Sequence, residues 1–446
     1  MNLARKWTVL PGLIIYFSAF AVNCAKIQIK NSSPLNDFAQ SDEKMFSSDV
    51  HHISLRLHRE TFQKVTLENH CRDSAPYGHV KELIFDASER LYNIGIRVRG
   101  NTSCENFRKQ YRIKFDETEN IFEKNSLPLN LPPETEDQRL FGQKSISLRA
   151  SQNDRSGIRE QLAVKVFTDL AKLRAIFDVQ GALGSGAAVY RTAYTRLDVL
   201  QVDDLNQGSV EYFGLYNIAE SIDNVFIESR YGKSAIDKKA KSGHLFKTNL
   251  GLATLKPESL NLNYYEPEYV NGQKYKDEDR NQALEVISQL MRQIDQVQSR
   301  EDLLALFDVD NLLAYLIGVS LTGHWDSLVA NANNDYLFFN ANISRWQIIA
   351  WDLDNTFGSD FGRNTAHYSH YDYVKNSQLF SKLLDYFRPE FDEKINDFKE
   401  NYYNDSIFSE VDRMARIVKD NSYADTFDQR QINDVKNFIK ARQGAH

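Results

Sequence analysis

Long apolar runs are scarce in this chain. After Val22 no segment is long and apolar enough to span a bilayer, so any membrane attachment has to come from the N-terminus. Cysteine is scarce as well, at Cys24, Cys71 and Cys104 only. That excludes a disulfide scaffold and leaves too few thiolates for a cysteine-based zinc site. Cys71 and Cys104 could pair in an oxidising compartment, with Cys24 left over. A basic cluster is lacking too. The 54 Lys and Arg residues are interspersed with 61 Asp and Glu, for a net charge of −7, which argues against a nucleic-acid partner. There is no glycine-rich phosphate loop, internal repeat or low-complexity tract.

What is present begins with Arg5 and Lys6 ahead of an apolar run from Val9 to Val22. A charged stretch, a short apolar stretch and small residues at Ala19 and Ala21 read as a signal peptide over residues 1–21. The chain is therefore expected to be exported: secreted, periplasmic or at the cell surface. An uncleaved signal would leave an N-terminal anchor. Cys24 offers a lipoprotein reading, although Val22 and Asn23 make a poor lipobox. Residues 22–50 are polar and read as a linker.

From His51 to about Asp116 the pattern is short alternating strands, as in Ile53–Leu57, Ile94–Arg99 and Lys109–Phe115. Residues 127–138 read as a loop and Lys144–Ala150 as a strand. Ser156–Leu173 carries a helical stripe at Ile158, Leu162, Val166 and Leu170. Residues 187–220 return to strands, and 230–280 read as a long irregular insertion. Gln282–Val297 and Glu301–Leu321 read as helices, Tyr336–Phe339 and Trp346–Trp351 as a hairpin, and 376–441 as mostly helical. The fold class is α+β, with a β-rich N-terminal half, a helical C-terminal half and a two-lobed layout. The main domain is placed at 51–360, and 361–446 as a helical extension packing on the C-terminal lobe.

Three segments carry chemistry. His324-Trp-Asp326 followed by Asn331 has the spacing of a phosphotransfer catalytic loop. There an Asp accepts the proton of a substrate hydroxyl and an Asn oxygen holds a magnesium ion. An Asx turn is the bland alternative for Asp326. Next, the apolar strand Trp346–Trp351 ends in Asp352-Leu-Asp354. Two carboxylates that close repel each other, and a hard cation such as magnesium relieves them. Asp352-x-Asp354-x-Thr356 also reads as the nucleophile motif of a phosphatase, which requires a parallel sheet built after the motif. Third, Lys114 lies on a strand and Glu160 in the first turns of the following helix. That is the order of a phosphate-holding lysine and its helix partner. Lys109, Arg112, Arg149 and Lys247 compete with Lys114 for the phosphates. Arg99-Gly100-Asn101-Thr102-Ser103 is the nearest substitute for a phosphate-covering turn.

Taken together these residues resemble the CotH family of spore-coat kinase-like proteins. The matching segments are 96–103, 109–115, Asn153–Glu160, Phe213–Glu220, His244–Lys247, Asp326 with its following asparagines, and Trp351–Gly358, in that order. The resemblance implies an atypical protein-kinase fold that uses ATP and Mg2+ to phosphorylate Ser or Thr in partner proteins. It implies Asp326 as the catalytic aspartate and Asp352 as the metal aspartate, with Glu220 in a segment lining the nucleotide cleft. Asp154 and Arg159 match without an assigned role. A surface binding protein or adhesin that keeps the fold without the reaction is the alternative of a different class. Sequons occur at Asn31, Asn101, Asn342 and Asn404.

Overall fold

The computed structural model describes residues 44–47, 50–66, 77–100, 108–115, 138–151, 154–172, 188–202, 208–375, 377–422 and 427–445. The signal peptide, most of the linker, all three cysteines and the sequons at Asn31 and Asn101 lie outside the described residues, as do residues 101–103 of the substitute turn. Among the described residues no helix is long and apolar enough to cross a membrane.

The N-terminal half is a closed barrel. Strand β1 (His51–His58) is followed by helix α1 (Arg59–Thr66), then β2 (Gly78–Phe85), β3 (Glu89–Arg99), β4 (Gln110–Lys114) and β5 (Ser145–Arg149). Helix α2 (Arg159–Lys172) and the short β6 (Ala188–Val189) precede β7 (Thr192–Val202) and β8 (Gly208–Glu220). The strand order is β1-β2-β3-β4-β5-β8-β7, and β1 closes the ring by pairing parallel to β7. Period-two alternation does the work: Ile53, Leu55 and Leu57 of β1 point inward with Ile94, Ile96, Val98, Ile113, Ile146 and Leu148. The opposite face of β3, β4 and β5 therefore presents Arg97, Arg99, Arg112, Lys114 and Arg149.

The second half is built on a mixed sheet. Helix α3 (Asn224–Tyr231) leads to β9 (His244–Thr248), β10 (Tyr265–Val270), β11 (Gln273–Lys274), helices α4 (Arg280–Gln296), α5 (Arg300–Leu306), α6 (Val309–Thr322) and α7 (Leu328–Asn331), then β12 (Tyr336–Asn340) and β13 (Arg345–Ala350). The sheet order is β11-β10-β9-β12-β13-β6. Residues 230–280 are thus not an irregular insertion. They supply β9, which pairs with both β10 and β12 inside the sheet. Its five residues are too short to show a period and take their structure from two neighbours.

Helices α8 (Gln378–Asn401), α9 (Ser406–Asn421) and α10 (Gln429–Gln443) complete the chain. Helix α8 is interrupted at Phe387, two residues before Pro389. The last two helices touch both halves. Tyr212 of β8 donates to the Asn421 carbonyl, while Phe438 of α10 packs edge-on against Phe357 at 5.9 Å. The expected packing on the C-terminal lobe describes only part of what they do.

Candidate active site

Helix α6 is buried along its whole length, capped by Asp308 at its start and stopped by Gly323, which takes a left-handed φ of 66°. The side-chain amide of Asn311 on this helix pairs with the backbone of β13 at Ile348, donating at 3.1 Å and accepting at 2.7 Å. That contact ties the helix leading to Asp326 to the strand leading to the acidic pair. His324 follows, fully buried, and burial pulls its pKa down to about 4 and keeps it neutral.

Asp326 comes next. Its carboxylate accepts from the side-chain amides of Asn331 at 2.5 Å, Asn334 at 2.7 Å and Asn333 at 3.2 Å. Burial raises its pKa against the pull of these three bonds, and neighbouring Asp352 raises it further. Asn331 turns its nitrogen to Asp326, which leaves its oxygen as the end a cation could use.

One buried acid of the site was not anticipated from sequence. Asp335 is fully buried and accepts from Tyr315 Oη at 2.6 Å, Leu328 N at 2.6 Å and Trp351 N at 3.1 Å. It clasps the loop that carries Asp326 to the end of β13. Burial pushes its pKa up to about 7. It sits at the end of an asparagine-rich run, where no periodicity distinguishes it from a surface acid.

At the end of β13, Asp352 takes a left-handed φ of 60°, unusual for a residue other than glycine. Its carboxylate pairs with Arg149 of β5, and Arg149 reaches Asp354 at 3.5 Å and Glu160 of α2 at 3.0 Å. Burial alone would raise Asp352, yet Arg149 and then Arg99 hold it below the ordinary carboxylate range. Asp354 lies well above that range because of burial and then of Asp352 beside it, and its Oδ1 is buried without a hydrogen-bond partner. Among the described residues no group of three or more His, Cys, Asp or Glu is placed to hold a metal. Magnesium does not need one, since it is usually bound by one or two carboxylates together with substrate phosphates and water. Asp352 and Asp354, with the Asn331 oxygen, fit that pattern.

The partner of the helix glutamate differs from expectation. Lys114 pairs in register with Ser145, at the opposite end of β5 from Arg149. It is Arg149 that meets Glu160, which also accepts from Tyr190 Oη at 2.6 Å and Asn217 Nδ2 at 3.0 Å. Arg99 and Arg112 stand on the same face as Arg149, and each of the three keeps one buried guanidinium nitrogen without a partner. Lys247 of β9 lies in register with Tyr336 and Glu266, and adds to the field that depresses Asp352. Glu220 does not line the cleft. Its fully buried carboxylate is spent on Arg191 and Arg230, each at 2.6 Å. Asp154 and Arg159 also turn out to be structural. Asp154 accepts from Arg159 N at the start of α2, and Arg159 reaches Gln431 of α10 at 2.8 Å.

The family model described as CotH kinase protein matches residues 96–444, more than three quarters of the chain. This chain belongs to the CotH kinase family. The CotH match runs from the end of β3 through α10, so the three helices after residue 360 fall inside the family region. No curated protein sequence matches the chain.

Proposed function

We propose that this CotH chain is an atypical protein kinase that transfers the γ-phosphate of ATP to a Ser or Thr of a partner protein, with magnesium. The observation that carries the reading is that Asp335 joins the loop presenting Asp326 to the strand end presenting Asp352, whose carboxylate pairs with Arg149, the partner of Glu160. Asp326 accepts the proton of the attacking hydroxyl, and its three asparagine amides hold the carboxylate in one orientation. Arg99, Arg112 and Arg149 offer unpartnered N–H groups to the phosphates and offset their charge. Asp352 and Asp354, with Asn331, would hold magnesium, which would supply positive charge to the phosphate oxygens. The phosphatase alternative requires a parallel sheet after Thr356, and among the described residues no strand follows Ala350.

The test is incubation of the chain from Val22 with ATP and magnesium, beside Asp326→Asn and Asp352→Asn, read by intact mass and phosphosite mapping. Phosphate on the wild type and on neither variant is the expected result. Loss of the general base should cost about 100- to 10,000-fold in rate. Asp326→Asn turns its amide NH2 toward a side-chain donor and so costs only about 1 kcal/mol of stability. A wild type that gains no phosphate and shows no ATP-dependent thermal shift is instead a binding protein on this fold.

A further inference from the structure

We propose that the surface around Asp326 is a docking platform for an extended polypeptide whose acceptor Ser or Thr is flanked by apolar side chains. This rests on the phosphotransfer reading and names the substrate class that reading leaves open. Of the seven large apolar side chains exposed among the described residues, four stand on the two loops that touch the catalytic loop, and three of them, unlike Leu260, lie within two residues of a contact with it. Those three are Phe361 at 76%, Leu250 at 60% and Leu252 at 46%.

Each loop meets the catalytic loop at a definite point. Phe361 stands edge-on to Trp325, the residue before the base, with ring centroids 5.6 Å apart. Trp325 is itself held in place. Its Nε1 donates to the Ser359 carbonyl at 2.7 Å, and the Arg363 guanidinium stacks 3.8 Å from its ring. On the other loop, Gly251 lies so close to Asn331 that a Cβ there would sit 3.3 Å from its carbonyl oxygen. Ala253 N donates to the Ala332 carbonyl at 3.1 Å. Asn331 in turn bonds Asp326. Any hydroxyl delivered to Asp326 therefore arrives beside one or both apolar loops.

The backbone adds an independent observation. Phe361 and Leu250 both hold left-handed conformations, with φ of 51° and 65°. Glycine or asparagine sits at ease there, and a bulky side chain does not. Loop comfort does not explain these residues, and neither does a core, since both face solvent. Exposed apolar area collected at a reaction centre is what an incoming partner buries. A small hydroxyl compound would reach Asp326 without covering two loops. A polypeptide crossing Asp326 covers them with the residues on either side of its acceptor.

The experiment uses the full chain and the variants Phe361→Asn and Leu250→Asn, singly and together. Asparagine suits both backbone angles, so the variants should melt at or above the wild-type temperature. The probes are short fluorescein-labelled peptides with a central Ser, flanked either by Leu and Phe or by Gln. The wild type should favour the apolar peptide by about tenfold in kcat/KM, and the double variant should lose that preference through the peptide KM. The ATP KM should not move. Transfer without a flank preference, or with one the variants leave intact, overturns the docking platform and leaves the kinase standing. Fluorescence anisotropy without ATP separates the remaining cases. Apolar-peptide binding that depends on Phe361 and Leu250, in a protein that transfers no phosphate, keeps the platform and removes the kinase reading. Absence of both binding and transfer removes both.

Discussion

Asp326 and Asp335 belong to one loop, yet their surroundings separate their roles. Asp326 is partly open and receives three flexible side-chain amides, so its carboxylate is oriented but reachable. Asp335 is sealed and receives two backbone N–H groups and a tyrosine hydroxyl, so it acts on the chain and not on a substrate. In Asp335→Asn the amide oxygen can still serve Tyr315 and Leu328, but the NH2 then faces the Trp351 N–H. One unsatisfied buried contact should cost about 1–3 kcal/mol. The folded-state pKa is raised from 3.8 to about 7, so the folded protein binds the extra proton between those values. Wild-type stability contributed by this group is accordingly greatest below pH 4 and falls as pH rises toward 7. The variant should show a flatter profile across that window in urea denaturation at several pH values. A slope equal to wild type would place the titration elsewhere.

At the scale of elements, alternation made most strands of the barrel legible, and the same alternation put Lys114 and Arg149 on one face. It could not say which of them meets Glu160. That depends on how far along β5 each cation lies and on where α2 crosses, which barrel closure decides. Glu220 shows the same limit. It ends β8 inside a family segment that suggested the nucleotide, but the turn into α3 brings Arg230 onto it, and Arg191 reaches it from just before β7. The two arginines overcome its burial and hold its pKa down to about 2. Its contribution to stability is thus complete above pH 4.5 and is lost as pH falls toward 2. Glu220→Gln leaves two guanidinium groups without their shared anion and should cost about 3–5 kcal/mol at neutral pH. Any protein that folds should keep the wild-type ATP KM. A raised ATP KM at unchanged stability would return Glu220 to the cleft.

At the scale of the whole molecule, the two halves are joined at the start of α2 by elements far away in sequence. Asp428 N donates to the Arg155 carbonyl at 2.8 Å, Arg159 reaches Gln431, and Tyr194 Oη donates to the Gly157 carbonyl at 3.1 Å. Gly157 is the tightest point. It has φ of 67°, and a Cβ there would lie 2.8 Å from Val418 Cγ1 on α9. Valine is stiff at χ1 and cannot swing aside. Gly157→Ala should therefore combine a left-handed backbone penalty of about 1 kcal/mol with an overpacking cost of about 1–3 kcal/mol. Val418→Ala removes the obstructing methyls and on its own costs about 2 kcal/mol through lost burial. The double variant should cost less than the sum by about 1 kcal/mol, because the shortened side chain makes room for the new methyl. Glu160 follows within the first turn of α2, so the same displacement should raise the ATP KM in Gly157→Ala and let it recover in the double variant. Urea midpoints for the three proteins give the coupling, and additive costs would mean that α9 does not press on α2. Additive costs with a raised ATP KM would leave only the strained backbone of Gly157 to position Glu160, with the C-terminal helices playing no part.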